Sequence, residues 1–434
     1  MKRSFGTISM AALTLFSFHS TTSAFNLPDT GQTKCYQQVS PFKAEIPCAG
    51  TGQDPEHIIH PMSYTDNGNG TIMDNNTGLM WQKCSAGQNN DATCSGIASA
   101  LNWYQASGTY DATYNPTSSG ACGGWRLPTQ KELFSIVDFS VPGPTANINA
   151  TFFPNTVSDA YWLSDDWSAN SNLAWFENFY NGISSAKTKL STGYVRCVLG
   201  APVAQSYTDN LDGTETDNTT RLIWQKCSAG QSYDVSCSGS ASLYNNWNDA
   251  LGYCNNLSLA SQTDWCLPNI KELDTLLFVD PVIFPKTNAA QYWSSTTYAG
   301  VLGSLWGYAL IGGAIFDNGV ATKQVKALGD VTSARCVRGG QSAPSGHPVR
   351  LIRDGSPYDT YLKIQDAYSL ALVGDTVQAQ VSVLIENLSF AKNTAFSLQG
   401  GYDSDFMLNP GMTTLQGGLT ISGGTVTVEN LILK

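Results

Sequence analysis

From Thr414 onward the chain alternates apolar with polar positions, through Leu419-Thr420-Ile421, Thr425-Val426-Thr427-Val428 and Leu431-Ile432-Leu433, with glycines between the runs. A period of two marks strands with one buried face. A helical period appears at Trp247, Leu251 and Cys254, whose i, i+4, i+7 spacing turns one helix face to a core. Thr129 with Glu132, and Asn269 with Glu272, have the N-cap and N3 spacing of a capping box, so a short helix is predicted after each Leu-Pro. Asp66-Asn67-Gly68-Asn69-Gly70-Thr71 holds residues that tolerate positive φ and predicts a hairpin turn. Tyr361 to Leu372 is predicted helical and Val377 to Val383 a strand.

The patterns occur twice. Tyr64-Thr65-Asp66-Asn67 through Trp81-Gln82-Lys83-Cys84-Ser85-Ala86-Gly87 returns, displaced by 143 residues, as Tyr207-Thr208-Asp209-Asn210 through Trp224-Gln225-Lys226-Cys227-Ser228-Ala229-Gly230. Leu127-Pro128, Tyr161-Trp162 and Arg196-Cys197 also recur, as Leu267-Pro268, Tyr292-Trp293 and Arg335-Cys336. Units of this length are expected to be globular domains and not solenoid repeats.

The compartment follows from the N-terminus. Lys2 and Arg3 precede an apolar run from Ile8 to Phe18, and Thr22-Ser23-Ala24 supplies small residues for cleavage, so 1–24 is expected to be a signal peptide. The run is too short to span a bilayer, no transmembrane segment is expected, and the protein is expected to be extracellular or on the outer cell surface. Export makes the eleven cysteines disulfide candidates, with an odd one left over. Cys35–Cys48 closes a local loop, and Cys84–Cys94 and Cys227–Cys237 repeat one gap. Cys122–Cys197 remains in the first copy. In the second, Cys254 or Cys266 partners Cys336, and the inward face of Cys254 favours Cys254, leaving Cys266 unpaired. Only 13% of residues are charged, with 23 basic against 34 acidic, and an acidic surface disfavours nucleic acid as a partner.

Asp-Asn-Gly-x-Gly-Thr, Asp-Asn-x-Thr-Gly-Leu-x-Trp, Trp-Arg-Leu-Pro-x-x-x-Glu-Leu, Tyr-Trp-Ser-Ser and a terminal Arg-Cys-Val together resemble the domain at the C-terminus of the Legionella collagen-like adhesin. The resemblance covers residues 64 to 200 and 207 to 339. It implies a C-type-lectin-like fold related to the sulfatase-modifying family, on secreted or surface proteins, with glycan adhesion as the role. The departures are Cys266 in place of Arg, Tyr110 where a counterpart of Cys254 is expected, and Leu163-Ser164-Asp165 in place of Ser-Ser. The expected class is α+β: signal peptide 1–24, linker 25–63, lectin-like repeats 64–200 and 201–340, and an all-β module 341–434 similar to the first rungs of a right-handed parallel β-helix. A small β-sandwich is the alternative for that module.

Neither repeat contains a histidine, which removes Ser-His-Asp and Cys-His arrangements and histidine-bound zinc from within them. His57 and His60 read as solvated linker residues, and no enzymatic activity is expected. Glycan binding needs aromatic faces with polar rims, and Trp167, Trp175, Glu177 and Tyr298, Trp306 are the candidates. Trp162 and Trp293 read as core. Lys187, Lys189, Lys323 and Lys326 precede each final strand, where cations can meet sulfate or carboxylate groups. No cofactor is required. Asp66, Asn69, Asp74 and Asp209, Asp212, Asp217 offer oxygens suited to calcium, although turns demand the same residues. The expected function is glycan adhesion at two linked sites, or a structural surface component that binds protein; a homo-oligomer is compatible with either. Exposed tryptophans favour the first reading and buried ones the second.

Overall fold

The computed structural model describes residues 25–37, 44–141, 144–167, 170–277, 279–280, 282–287, 291–297, 306–311, 320–325, 327–339, 348–353, 356–361, 363–402, 406, 409 and 411–434, with only the backbone for 306–311, 320–325, 327–331 and 356–360. Each repeat opens with the expected hairpin. Tyr64–Asp66 pairs with Thr71–Asp74, which pairs with Met80–Gln82, and Val198–Leu199 returns to close this antiparallel sheet. The second repeat repeats the order with Tyr207–Asp209, Thr214–Asp217, Ile223–Gln225 and Val337–Arg338. A three-stranded antiparallel sheet completes each unit, from Ala160–Asp166, Leu173–Asn178 and Ile183–Thr188 in the first and Gln291–Thr297, Trp306–Ile311 and Val320–Val325 in the second.

Helices are few. Both capping boxes form: Thr129 accepts from the Glu132 amide and Asn269 from the Glu272 amide, and each glutamate reaches back to its N-cap. Neither helix lasts two turns, because the apolar residues after Ser135 and Asp274 are drawn into the core from irregular backbone. Among the described residues 32% are strand and 10% helix, so the expected α+β class is corrected to a mostly β one. The lectin-like resemblance carried that expectation, and the strands of each repeat outweigh its short helices.

The repeats are not separate beads. One apolar core runs through both, joining Leu133, Phe134 and Ile136 to Ile270, Leu273 and Leu277. Contacts across it are reciprocal: Lys131 donates to the Thr275 carbonyl at 2.8 Å, and Lys271, its counterpart, to the Ser135 carbonyl at 2.7 Å. The segment expected as a linker is built into this junction. Lys271 also donates to the Asp29 carbonyl, Asp54 accepts from Thr30 and Thr296, and the Thr297 amide donates to Gln32 at 3.0 Å. His57 and His60 are accordingly half-buried.

Five disulfides join Cys35–Cys48, Cys84–Cys94, Cys122–Cys197, Cys227–Cys237 and Cys254–Cys336, and Cys266 is free and buried. No helix among the described residues is long and apolar enough to cross a membrane.

The C-terminal module has its own core. Val349–Arg353 pairs antiparallel with Thr376–Gln380, and from there the pairing is parallel. Thr376–Gln380, Ala395–Tyr402 and Thr425–Glu429 form one ladder, Val383–Ile385, Thr413–Gln416 and Leu431–Leu433 a second, and Leu388–Phe390 with Leu419–Ile421 a third. Gly424 makes one corner: its φ is +72°, and a Cβ would collide with the Thr394 carbonyl. The Ile364–Leu370 helix covers the first rung, where Gln365 pairs with both backbone groups of Ser389.

Candidate functional site

Of the four aromatic candidates, Trp167 and Trp175 have described side chains. Trp175 is buried, stacked on half-buried Trp167 with ring centroids 4.7 Å apart. Trp162 and Trp293 are buried, as expected. Trp81 and Trp224 sit against the closing strand in each repeat. Eight of the ten tryptophans whose side chains are described are buried, leaving Trp125 and Trp167 half-buried. Tyr298 and Lys326 lie outside the described residues; Trp306 and Lys323 are placed in strands, without their side chains.

The two cation candidates with described side chains, Lys187 and Lys189, are committed within the fold. Lys187 lies over the rings of Trp162 and Phe176, 4.6 and 5.0 Å from their centroids, and donates to the Thr192 carbonyl. Lys189 pairs with Asp166 at 2.7 Å and sits 4.3 Å from the Trp103 centroid. Neither is placed as a free anion receptor.

The calcium candidates satisfy their own turns. Asp66 accepts from the Gly68 amide and pairs with Lys83; Asp209 does the same with Leu211 and Lys226. Asn69 and Asp212 accept from the Thr71 and Thr214 amides. Asp74 and Asp217 are buried and hold the next turn through amides. Among the described residues no group of three or more His, Cys, Asp or Glu is gathered as a metal site requires.

Glu177, chosen as a polar rim group, is buried and accepts from Ser184 at 2.5 Å. Burial pushes its carboxyl up to about 8. Burial, and then Asp54, raise Asp29 to about 8 as well, while burial lowers Lys271 to about 8. Between the ordinary carboxyl range and about pH 8 the unfolded chain has released protons that the folded chain keeps, so stability falls with rising pH. Lys271 acts oppositely, but only above about pH 8. Half-buried His60, lowered to about 4 by desolvation, acts only below its ordinary value. The free energy of unfolding is therefore expected to fall between about pH 6.5 and 8, by about 1.4 kcal/mol per pH unit for each such carboxyl, and the melting temperature with it. Glu177→Gln should remove its share of the slope and raise the melting temperature at pH 8; an unchanged slope would refute the assignment.

A cleft of about 450 Å³ opens in the first repeat, within the range of small-ligand sites. It arises from one local difference between the copies. The Trp103–Ser107 helix stops at Gly108, left-handed at φ +81°, whereas its counterpart Gly252 stays inside the longer Trp247–Asn255 helix. That longer helix carries Cys254 to Cys336. In the first repeat the corresponding position is Tyr110, and Cys122, from the following loop, reaches Cys197 instead. Gly108 and Gly120 lie so close that a Cβ on either would be 3.2 Å from the other's Cα.

The cleft is lined by Trp103, Trp125 and the hydroxyls of Ser107, Thr109, Ser118 and Ser164. Arg126 is its only charged lining residue, and its guanidinium is held by Glu132 through two 2.7 Å bonds and by the Gly200 carbonyl. An aromatic ring, several hydroxyls and no free charge suit an uncharged polar ligand. In the second repeat Leu251, Leu259 and Trp265 are packed into a core at the matching place, and Trp265 donates to the Leu259 carbonyl. Sequence reading missed the cleft, although the insertion after Trp103 and the displaced cysteine were visible.

Buried Arg196 and Arg335 were also missed as individual residues. Each guanidinium donates to two hairpin carbonyls, Gln82 and Lys83 or Gln225 and Lys226, and to two hydroxyls, Ser85 and Thr156 or Ser228 and Thr287.

The family model described as the Lcl C-terminal domain matches residues 70–199 and again 213–338. The chain therefore belongs to the Lcl C-terminal domain family and carries the domain twice. No curated protein and no solved structure matches it.

Proposed function

We propose that this is an exported, adhesin-like surface protein that binds a neutral glycan in the cleft of its first repeat, without catalysing a reaction. Family membership supports the adhesin-like reading, and five disulfides accord with an oxidising, extracellular setting. The carrying observation is the cleft itself, with half-buried Trp125 beside hydroxyls and its one guanidinium already neutralised. The second repeat is packed at the matching place, so tandem duplication does not by itself give two such clefts.

A screen of the mature chain against neutral and sulfated glycans tests the reading. Binding to neutral saccharides is expected, with Trp125→Ala weakening it at least about 30-fold, or about 2 kcal/mol, and leaving circular dichroism unchanged. Trp125→Phe should retain part of the affinity. Tyr180→Ala, on an exposed ring that does not line the cleft, should retain all of it. Silence across neutral glycans would favour the second reading, a structural component that binds protein, which the burial of most tryptophans supports.

A further inference from the structure

The step from Trp103 to Trp125 spans 22 positions, against 18 from Trp247 to Trp265. The extra length goes into a loop whose two ends, Thr109 and Ser118, form part of the cleft wall. In the second repeat the shorter segment turns Leu259 into the core instead. Between Thr109 and Ser118 the chain folds into a tight turn. Asp111 and Asn115 pair through both backbone groups, at 3.2 and 2.9 Å, and the Asp111 carboxylate accepts from the Thr113 and Tyr114 amides. Buried Asn115 donates to the Tyr104 and Thr109 carbonyls, which fastens the turn to the Trp103–Ser107 helix and its exit.

This turn holds aromatic rings in the open. Tyr110 is 63% and Tyr114 41% exposed. Tyr114 lies near-parallel to Tyr104, with centroids 6.3 Å apart, and Tyr104 meets Trp103, which lines the cleft, edge to face at 5.8 Å. A row of rings thus connects the cleft to the exposed turn. From Gly108 to Gly120 the only charged residue is Asp111, and its carboxylate is engaged by two amides. Packing alone does not account for Tyr114, since Asp111 and Asn115 already close the turn and the ring stays exposed. A sugar ring stacked on a tyrosine fixed in this way gains contact without first ordering the loop.

We infer that the first repeat takes a neutral oligosaccharide and not a single sugar: one residue lies in the cleft against Trp125, and the chain continues across the Thr109–Ser118 rim to stack an outer ring on Tyr114. The inference rests on the cleft being a saccharide site and adds to it a second subsite that selects for chain length.

Titration calorimetry of the mature chain with gluco-, manno- and chito-oligosaccharides, each graded from monosaccharide to hexasaccharide, separates the two subsites. In a series that binds, affinity is expected to rise at least about tenfold with length. Tyr114→Ala should lose that gain yet keep wild-type affinity for the shortest member that binds, which also shows that the variant is folded. Tyr114→Phe should keep the gain, and Trp125→Ala should weaken every length. Equal wild-type affinity at all lengths would overturn the outer subsite and leave the cleft as a saccharide site. So would a Tyr114→Ala chain that weakens short and long members alike, or neither. Absence of binding in all three series would overturn both readings.

Discussion

Arg196→Met and Arg335→Met are each expected to destabilise the protein by about 3–5 kcal/mol, among the largest effects available to a single substitution. Methionine fills much of the same volume, so packing loss is minor. What it cannot supply is donors. Removing Arg196 leaves the Gln82 and Lys83 carbonyls and the Ser85 and Thr156 hydroxyls without the bonds it makes, in a place where Arg196 itself is wholly buried. These acceptors tie the hairpin to the rest of the repeat, and Ser85 also contacts Tyr161 at 2.8 Å. The same network surrounds Arg335 and Tyr292. Calorimetry should find comparable losses from the two variants. A loss below about 1 kcal/mol would mean that water replaces the guanidinium, contrary to the burial described.

Removing either long disulfide should cost about 4.5 kcal/mol and removing either short one about 3 kcal/mol, if restriction of the unfolded chain dominates. The long pairs, Cys122–Cys197 and Cys254–Cys336, span 75 and 82 residues; Cys84–Cys94 and Cys227–Cys237 span 10 each. Paired alanine variants melted under identical conditions give the comparison. The two long bridges should then separate in function. Cys122 lines the cleft, so opening Cys122–Cys197 should weaken glycan binding below the melting temperature, whereas opening Cys254–Cys336 should not. Equal binding by both variants would argue that the cleft wall is held by Gly108 and Gly120 and not by the sulfur bridge.

Much of the layout could be read from the chain because its signals are local. A capping box is decided within four residues, a hairpin turn within six, and the repeated gap from Cys84 to Cys94 pairs two cysteines without knowledge of the fold. The pairing of Cys254 followed from one helical face. Tertiary outcomes were harder. Nothing within Leu173–Asn178 tells whether Trp175 faces solvent or a neighbouring sheet, since a strand with two covered faces has no clean alternation. Turn carboxylates such as Asp66 look alike whether they hold calcium, an amide or Lys83. The helix content was overestimated because the α+β class came with the lectin-like resemblance; the helices read from the residues themselves were short, as found.

The reciprocal contacts of Lys131 and Lys271 give the duplication a different meaning from multiplied binding. Two copies that meet face to face act as each other's scaffold, and a chain containing both always has its partner at hand. Neither copy then has to keep every feature of the other. One has kept a filled, rigid interior, and the other has been released to open a loop, relocate a cysteine and form a recess. Duplication here amounts to a division of roles within a joined pair: the second half is packed where the first, in which the binding site is proposed, holds a recess.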